Sequence, residues 1–184
     1  MMKINQSESS NKSFKVKPFQ FRPWSKRQKK IFLWWTENSP YKDYNGIIAD
    51  GSIRAGKTLA MSMSFVFWAM YSFSEQDFAL CGKTIGSLRR NVINGLKRII
   101  LQRGYQVTDR RGDNLLIISK NGVTNRFWLF SGRDESSQDL IQGITLAGIM
   151  FDEVALMPES FVNQATGRCS VEGSKIWLES SHAA

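Results

Sequence analysis

The sequence predicts an α/β fold, a largely parallel central sheet flanked by helices. Three observations lead there. Short, continuously apolar runs alternate with longer segments of helical periodicity, as strands buried on both faces do. A glycine-rich octet, GSIRAGKT (51–58), stands between one such run and an apolar helix-forming stretch. The composition, 42% hydrophobic and 12% aromatic over 184 residues, suffices for one substantial core.

Each element follows from its own residues. Residues 1–13 are polar and aperiodic, which predicts a disordered tail. Pro23 stops structure and Ser25 caps a helix whose apolar face carries Ile31, Phe32 and Trp35. The run 46–50 predicts a strand ending at the octet, and a helix follows from about Gly56 to Phe73. Residues 78–82 read as a second buried strand. Residues 87–104 have apolar side chains at helical spacing with a basic opposite face, and Gly104 is the stop signal. Strands at 114–119 and 125–130 flank the turn Lys120-Asn121-Gly122, a hairpin signature. A strand at 146–153 ends in two acids, a helix with Pro158 at its start covers 158–168, and a last strand covers 174–178.

The formal charge is +9, unevenly spread. Residues 1–35 carry +8 and residues 83–111 carry +7, so the remainder is net acidic. These two blocks are either solvated faces or contacts for an acidic partner such as nucleic acid. Cys81 and Cys169 show no metal-like spacing, and the single histidine is His182. Zinc and a disulfide framework are therefore not expected, and a reducing compartment fits. The N-terminus has charges without an apolar segment behind them, unlike a signal peptide. The longest apolar stretch, 59–73, is too short for a bilayer and contains serines, so a soluble protein without membrane attachment is expected.

The octet meets the pattern G-x-x-x-x-G-K-[ST] at Gly51, Gly56, Lys57 and Thr58, with Ser52, Ile53, Arg54 and Ala55 between. Each position has a physical task. Glycines let the backbone wrap closely and turn its N–H groups toward phosphates. The helix opening at Gly56 presents its positive end to the same anions. Lys57 reaches the β- and γ-phosphates, and Thr58 places a hydroxyl on Mg²⁺. The expected ligands are thus ATP and Mg²⁺.

Hydrolysis requires a further carboxylate on a neighbouring strand. The run GIMFDE supplies Asp152, for the Mg²⁺ shell, and Glu153, to orient and deprotonate water. Phosphate-transferring P-loop kinases generally lack this second acid. Its presence points to the additional-strand, catalytic-glutamate (ASCE) class of P-loop NTPases.

With these motifs placed, the chain resembles the N-terminal ATPase part of the large terminase subunit of tailed phages. The resemblance rests on DGSIRAGKTLAMSMSFVFWAM, KTIGSLRRNVI and DESSQDLIQGITLAGIMFDEVALMPESFVNQATGRCSVEGSKIW, and spans roughly residues 20–178. It implies ATP-driven packaging of double-stranded DNA, without sequence preference, into a procapsid in the bacterial host cytoplasm. It also implies a ring of identical subunits on a portal protein and recruitment by a small terminase subunit. By the same resemblance Gln28, with Trp24 or Phe21 beside it, belongs to an adenine-reading element. Arg54 is then a phosphate-contacting or neighbour-contacting arginine of the loop, and counts with Lys57 and Glu153 as catalytic.

Two departures stand out. Family members often carry Arg-Gly about ten residues before the paired acids, where this chain has Gln142-Gly143; Arg133 is the nearby substitute. After the last strand the family usually carries an Asn-Cys-Asn-Pro-like coupling motif, which Glu179-Ser180-Ser181 do not match. The expected organisation is a disordered basic tail (1–19), an ATPase domain incomplete at its C-terminus (20–178) and an irregular tail (179–184), with no nuclease domain. The alternatives are a nucleotide-holding remnant that hydrolyses weakly and a helicase-type P-loop DNA motor.

Overall fold

In the computed structural model, residues 23–52, 56–133, 139 and 141–182 are described. The expected tail 1–19, Phe21, Ile53, Arg54 and Ala55 lie outside these. Seven strands form one sheet: β1 (Gly46–Ser52), β2 (Asp77–Gly82), β3 (Gln106–Arg110), β4 (Leu115–Lys120), β5 (Val123–Ser131), β6 (Gly148–Phe151) and β7 (Lys175–His182). Their spatial order is β1-β7-β6-β2-β5-β4-β3. The neighbours from β1 to β5 pair in parallel, and β4 and β3 extend the sheet antiparallel. The expected largely parallel α/β architecture is therefore observed.

Strand alternation sorts the core into two layers. On β2, Phe78 and Leu80 face one layer, and Ala79 and Cys81 the other. Helix α2 (Lys57–Ser72) lies on the first face. It is apolar almost all round because α1 (Lys26–Leu33), the sheet and α4 (Asn94–Gln102) enclose it. The rings of Phe65 and Trp68 lie 5.1 and 4.8 Å from that of Trp177 on β7. A Cβ on Gly148 of β6 would come within 2.6 Å of Trp68, so this glycine permits α2 to sit close on the sheet. The other layer holds Phe151 and Phe161, the latter from α5 (Glu159–Thr166).

Several expectations need correction. The 87–104 helix is three pieces: α3 (Ile85–Leu88), a π-turn (Arg89–Ile93) and α4. Thr84 caps it, accepting from the Ser87 amide, so the helical segment begins earlier than expected. Strand β6 stops at Phe151, leaving Asp152 and Glu153 beyond its end. Strand β3 was not expected. Its burial alternates without a fully buried residue, which leaves a faint pattern in sequence. The expected irregular segment from residue 179 is instead strand as far as His182, because Glu179, Ser180 and Ser181 pair in parallel with Ala49, Asp50 and Gly51. Gly104 does end the helical segment, at φ +77°. Among the described residues, no helix is long and apolar enough to cross a membrane.

Candidate active site

Parallel strands carry their C-terminal ends to one edge of the sheet, where loops can gather. Three neighbouring strands meet there. β1 runs into the glycine-rich loop, β6 into Asp152-Glu153, and β7 lies between them. Ala49 of β1 is opposite Glu179 of β7, and Leu178 is opposite Phe151 of β6. One residue further, Asp152 follows Phe151 beside Glu179. The register thus aligns the loop, Glu179 and the paired acids in one row.

The loop turns into α2 at Gly56, which adopts a left-handed conformation (φ 71°, ψ 18°). Any side chain here would be strained and would collide with Gln28, whose Nε2 lies 2.5 Å from the built Cβ position. The other end of the Gln28 amide is fixed by a capping box. Gln28 Oε1 accepts from the Ser25 amide at 2.9 Å, and the Gln28 amide donates to Ser25 Oγ at 3.2 Å. The expected adenine-reading glutamine is thereby held against the loop. Trp24 is half-buried with its ring edge-on to Phe32, centroids 4.6 Å apart.

Lys57 opens α2 and is nearly buried, 7% exposed. Its ammonium donates to the carbonyls of Gly51 (2.8 Å) and Ser52 (2.7 Å), and pairs with Glu179 Oε1 at 3.7 Å. Thr58 follows in the first turn of α2, half-buried. Glu179 is 1% exposed. Its Oε2 accepts from the Glu153 amide at 3.1 Å and its Oε1 from the Ser181 hydroxyl at 2.8 Å.

Sequence reasoning set Glu179 aside as a mismatch to a motif. Alternation was the signal available: Trp177, Glu179 and Ser181 share a face of β7, and Trp177 packs against α2.

Asp152 is buried, its amide donating to the Cys81 carbonyl at 2.8 Å. Burial, then the charges of Glu179 and Glu153, push its carboxyl up to about 7. A carboxylate destabilised by nearby anions suits a site that a cation completes. Among the described residues, no group of three or more His, Cys, Asp and Glu side chains is placed to hold a metal ion. The Asp152 carboxylate and the Thr58 hydroxyl are oxygen donors of the kind Mg²⁺ takes one or two of, beside its waters and phosphate oxygens.

Glu153 sits at φ 58°, ψ 53°, an uncommon conformation for glutamate. Such strain costs about 1–3 kcal/mol and persists where neighbours over-determine it. Here its amide is held by Glu179 and its carbonyl accepts from the Leu156 amide. The structure thus brings Gly51, Ser52, Gly56, Lys57, Thr58, Asp152 and Glu153 to one end of the sheet, with Gln28 against Gly56. Arg133 is exposed just beyond the end of β5, and Gln142 and Gly143 are exposed as well.

The profile of the terminase large subunit, T4likevirus-type, N-terminal, matches residues 48–172. No curated protein matches the chain. Among solved structures, the large terminase of a thermophilic bacteriophage is 64% identical with a TM-score of 0.84, covering 86% of this chain and 39% of that one. The same large terminase in complex with ATP-gamma-S aligns at 60% identity and TM-score 0.80, covering 86% and 38%. The large terminase ATPase domain of Thermus phage P74-26 shares the fold at 18% identity and TM-score 0.56, covering 73% and 58%. This chain spans well under half the length of the thermophilic phage protein it matches. The fold is that of the terminase P-loop ATPases, and the chain belongs to the terminase large subunit family, within its N-terminal region.

Proposed function

We propose that this chain is the ATP-binding and ATP-hydrolysing domain of a motor that packages double-stranded DNA into phage procapsids. The observation that carries this reading is the convergence of Lys57, at the N-terminus of α2, with Asp152 and Glu153, past the end of β6, at the edge of the sheet where β1 and β6 end on either side of β7. The similar large terminase solved with ATP-gamma-S supports the same reading.

Each residue then has a task. Lys57 exchanges its bonds to the Gly51 and Ser52 carbonyls for the β- and γ-phosphates. The backbone from Gly51 to Thr58, including Ser52, Ile53, Arg54 and Ala55, cradles the phosphates. Gln28 reads the base edge with the nitrogen that lies against Gly56, and Trp24 flanks it. Thr58 and Asp152 hold Mg²⁺. When bound, that ion neutralises charge on the phosphate oxygens. Glu153 orients and deprotonates the attacking water. Arg54 contacts phosphate or a neighbouring subunit.

Basic side chains of the chain meet DNA phosphates without reading bases, with steep salt dependence. A portal protein, a small terminase subunit and a ring of identical subunits complete the assembly in the host cytoplasm. ATP turnover by the purified chain with Mg²⁺, beside Lys57→Ala and with binding measured in parallel, tests the reading. Turnover that Lys57→Ala abolishes is expected; turnover unchanged in the variant, or no nucleotide binding by the folded wild type, would refute it.

A second reading, that the chain holds ATP but turns it over slowly, is favoured by Glu179, Ser180 and Ser181 standing on β7 where the family's coupling motif is expected. Binding with negligible turnover in the same experiment would select it.

A further inference from the structure

Glu179 makes contacts that neither the phosphate loop nor the paired acids explain. Its two carboxylate oxygens divide between the two halves of the site. Oε1 faces the Lys57 ammonium at 3.7 Å, and Oε2 accepts from the Glu153 amide at 3.1 Å. The side chain is 1% exposed and Lys57 is 7% exposed, so solvent screens the pair little. Ser181, two residues on along the same face of β7, donates its hydroxyl to Oε1 and fixes the rotamer. The backbone around the carboxylate is equally fixed, because residues 176–182 pair with β1.

The lysine is therefore engaged by three oxygens of the protein, at Gly51, Ser52 and Glu179. A nucleotide phosphate must compete for it. Once the phosphate holds Lys57, the Glu179 carboxylate loses its cation and faces both a second anion and Asp152. A carboxylate in that position opposes phosphate binding for as long as it stays. It is also bonded to the Glu153 amide, so any withdrawal changes what holds the strained Glu153 backbone.

We propose that Glu179 is a positioning residue that acts as an internal anion on Lys57, weakening nucleotide binding and linking occupancy of the phosphate site to the setting of Glu153. This deepens the nucleotide-binding reading and rests on it. Glu179 touches no reacting atom; it acts through Lys57 and through the Glu153 amide.

The test compares wild type with Glu179→Gln, Glu179→Ala and Glu179→Asp, each confirmed folded by circular dichroism, in titrations with fluorescent ATP and ADP analogues and Mg²⁺. The glutamine keeps an acceptor for the Glu153 amide and removes the charge. We expect Glu179→Gln and Glu179→Ala to bind at least about fivefold more tightly than wild type, as loss of a like charge near the phosphates requires. Glu179→Asp, still anionic, stays within about twofold of wild type. In turnover, Glu179→Gln lowers KM with little change in kcat, whereas Glu179→Ala also lowers kcat because the Glu153 amide loses its acceptor. A purely structural role would weaken binding in all three variants. Wild type and Glu179→Gln binding within twofold of each other would overturn the inference and leave the nucleotide site standing. No binding by any folded protein would overturn both.

Discussion

The side-chain nitrogen of Gln28 lies 2.5 Å from the place a Cβ on Gly56 would occupy, so helix α1 and the start of α2 meet through a glycine with no room to spare. Gly56 also sits at φ +71°. Gly56→Ala therefore combines backbone strain with a clash, and we expect it to cost about 2–3 kcal/mol and to abolish nucleotide binding. Gly104 has a similar φ, +77°, with open space around it. Gly104→Ala should cost only about 1 kcal/mol and leave binding unchanged. Thermal melts and nucleotide titrations on both variants check the difference.

Glu153 is expected to serve chemistry rather than binding. Its backbone amide contacts Glu179, and this contact does not depend on its own side chain. Glu153→Gln should bind ATP within about threefold of wild type and lose roughly 10²–10⁴ of its turnover, the range for a general base. Equal losses in affinity and rate would assign the side chain to binding instead.

The buried carboxyl of Asp152, held up to about 7 by burial and by Glu179 and Glu153, gives folding a particular pH dependence. The unfolded chain ionises this group near its ordinary value of 3.8. Between there and pH 7 the folded protein binds more protons than the unfolded one. The group's contribution to stability therefore falls as pH rises through that window, and levels off above it. In Mg²⁺-free buffer, Asp152→Asn should remove this fall and be more stable than wild type above pH 7, by about 1–3 kcal/mol. Urea unfolding at a series of pH values measures it; parallel curves for the two proteins would contradict the assignment.

Asn125 is buried on β5 and joins the end of α2 to the start of β2. Its Nδ2 donates to the carbonyls of Ala69 (3.2 Å) and Phe73 (2.8 Å), and its Oδ1 accepts from the Gln76 amide at 3.0 Å. Asn125→Ala leaves the Phe73 carbonyl and the Gln76 amide to find new partners, while the Ala69 carbonyl keeps the Phe73 amide, and should cost about 2–4 kcal/mol in chemical unfolding. Asn125→Asp should cost more, since it keeps the acceptor but loses both donors and buries a charge.

Much of the site was legible in the linear text because its chemistry is local. Gly51, Gly56, Lys57 and Thr58 lie within eight residues, and the spacing alone dictates a loop that turns into a helix. Asp152 and Glu153 were legible as acids ending an apolar run. The hairpin at Lys120-Asn121-Gly122 was legible because asparagine and glycine tolerate the positive φ of +51° and +81° observed there. Continuous apolar runs were enough for α2, β2 and β6, which are buried nearly all round, whereas the edge strand β1, with Ile48 exposed, was legible from a short apolar run ending at the octet.

The remainder depended on register. Strand β7 continues past Leu178 because its backbone pairs with β1 as far as Ser52, which no local propensity in Glu-Ser-Ser announces. Thr84 extends the basic helical segment backwards through a cap that lies outside the apolar period. By itself the sequence determined that the chain carries a phosphate loop and a pair of acids on an α/β scaffold, because those patterns are written in consecutive residues. Only the tertiary structure decided that Glu179 stands between them. The pairing of β7 with both β1 and β6 sets one carboxylate against Lys57 and Glu153, both far from it along the chain, and that juxtaposition is a property of the sheet.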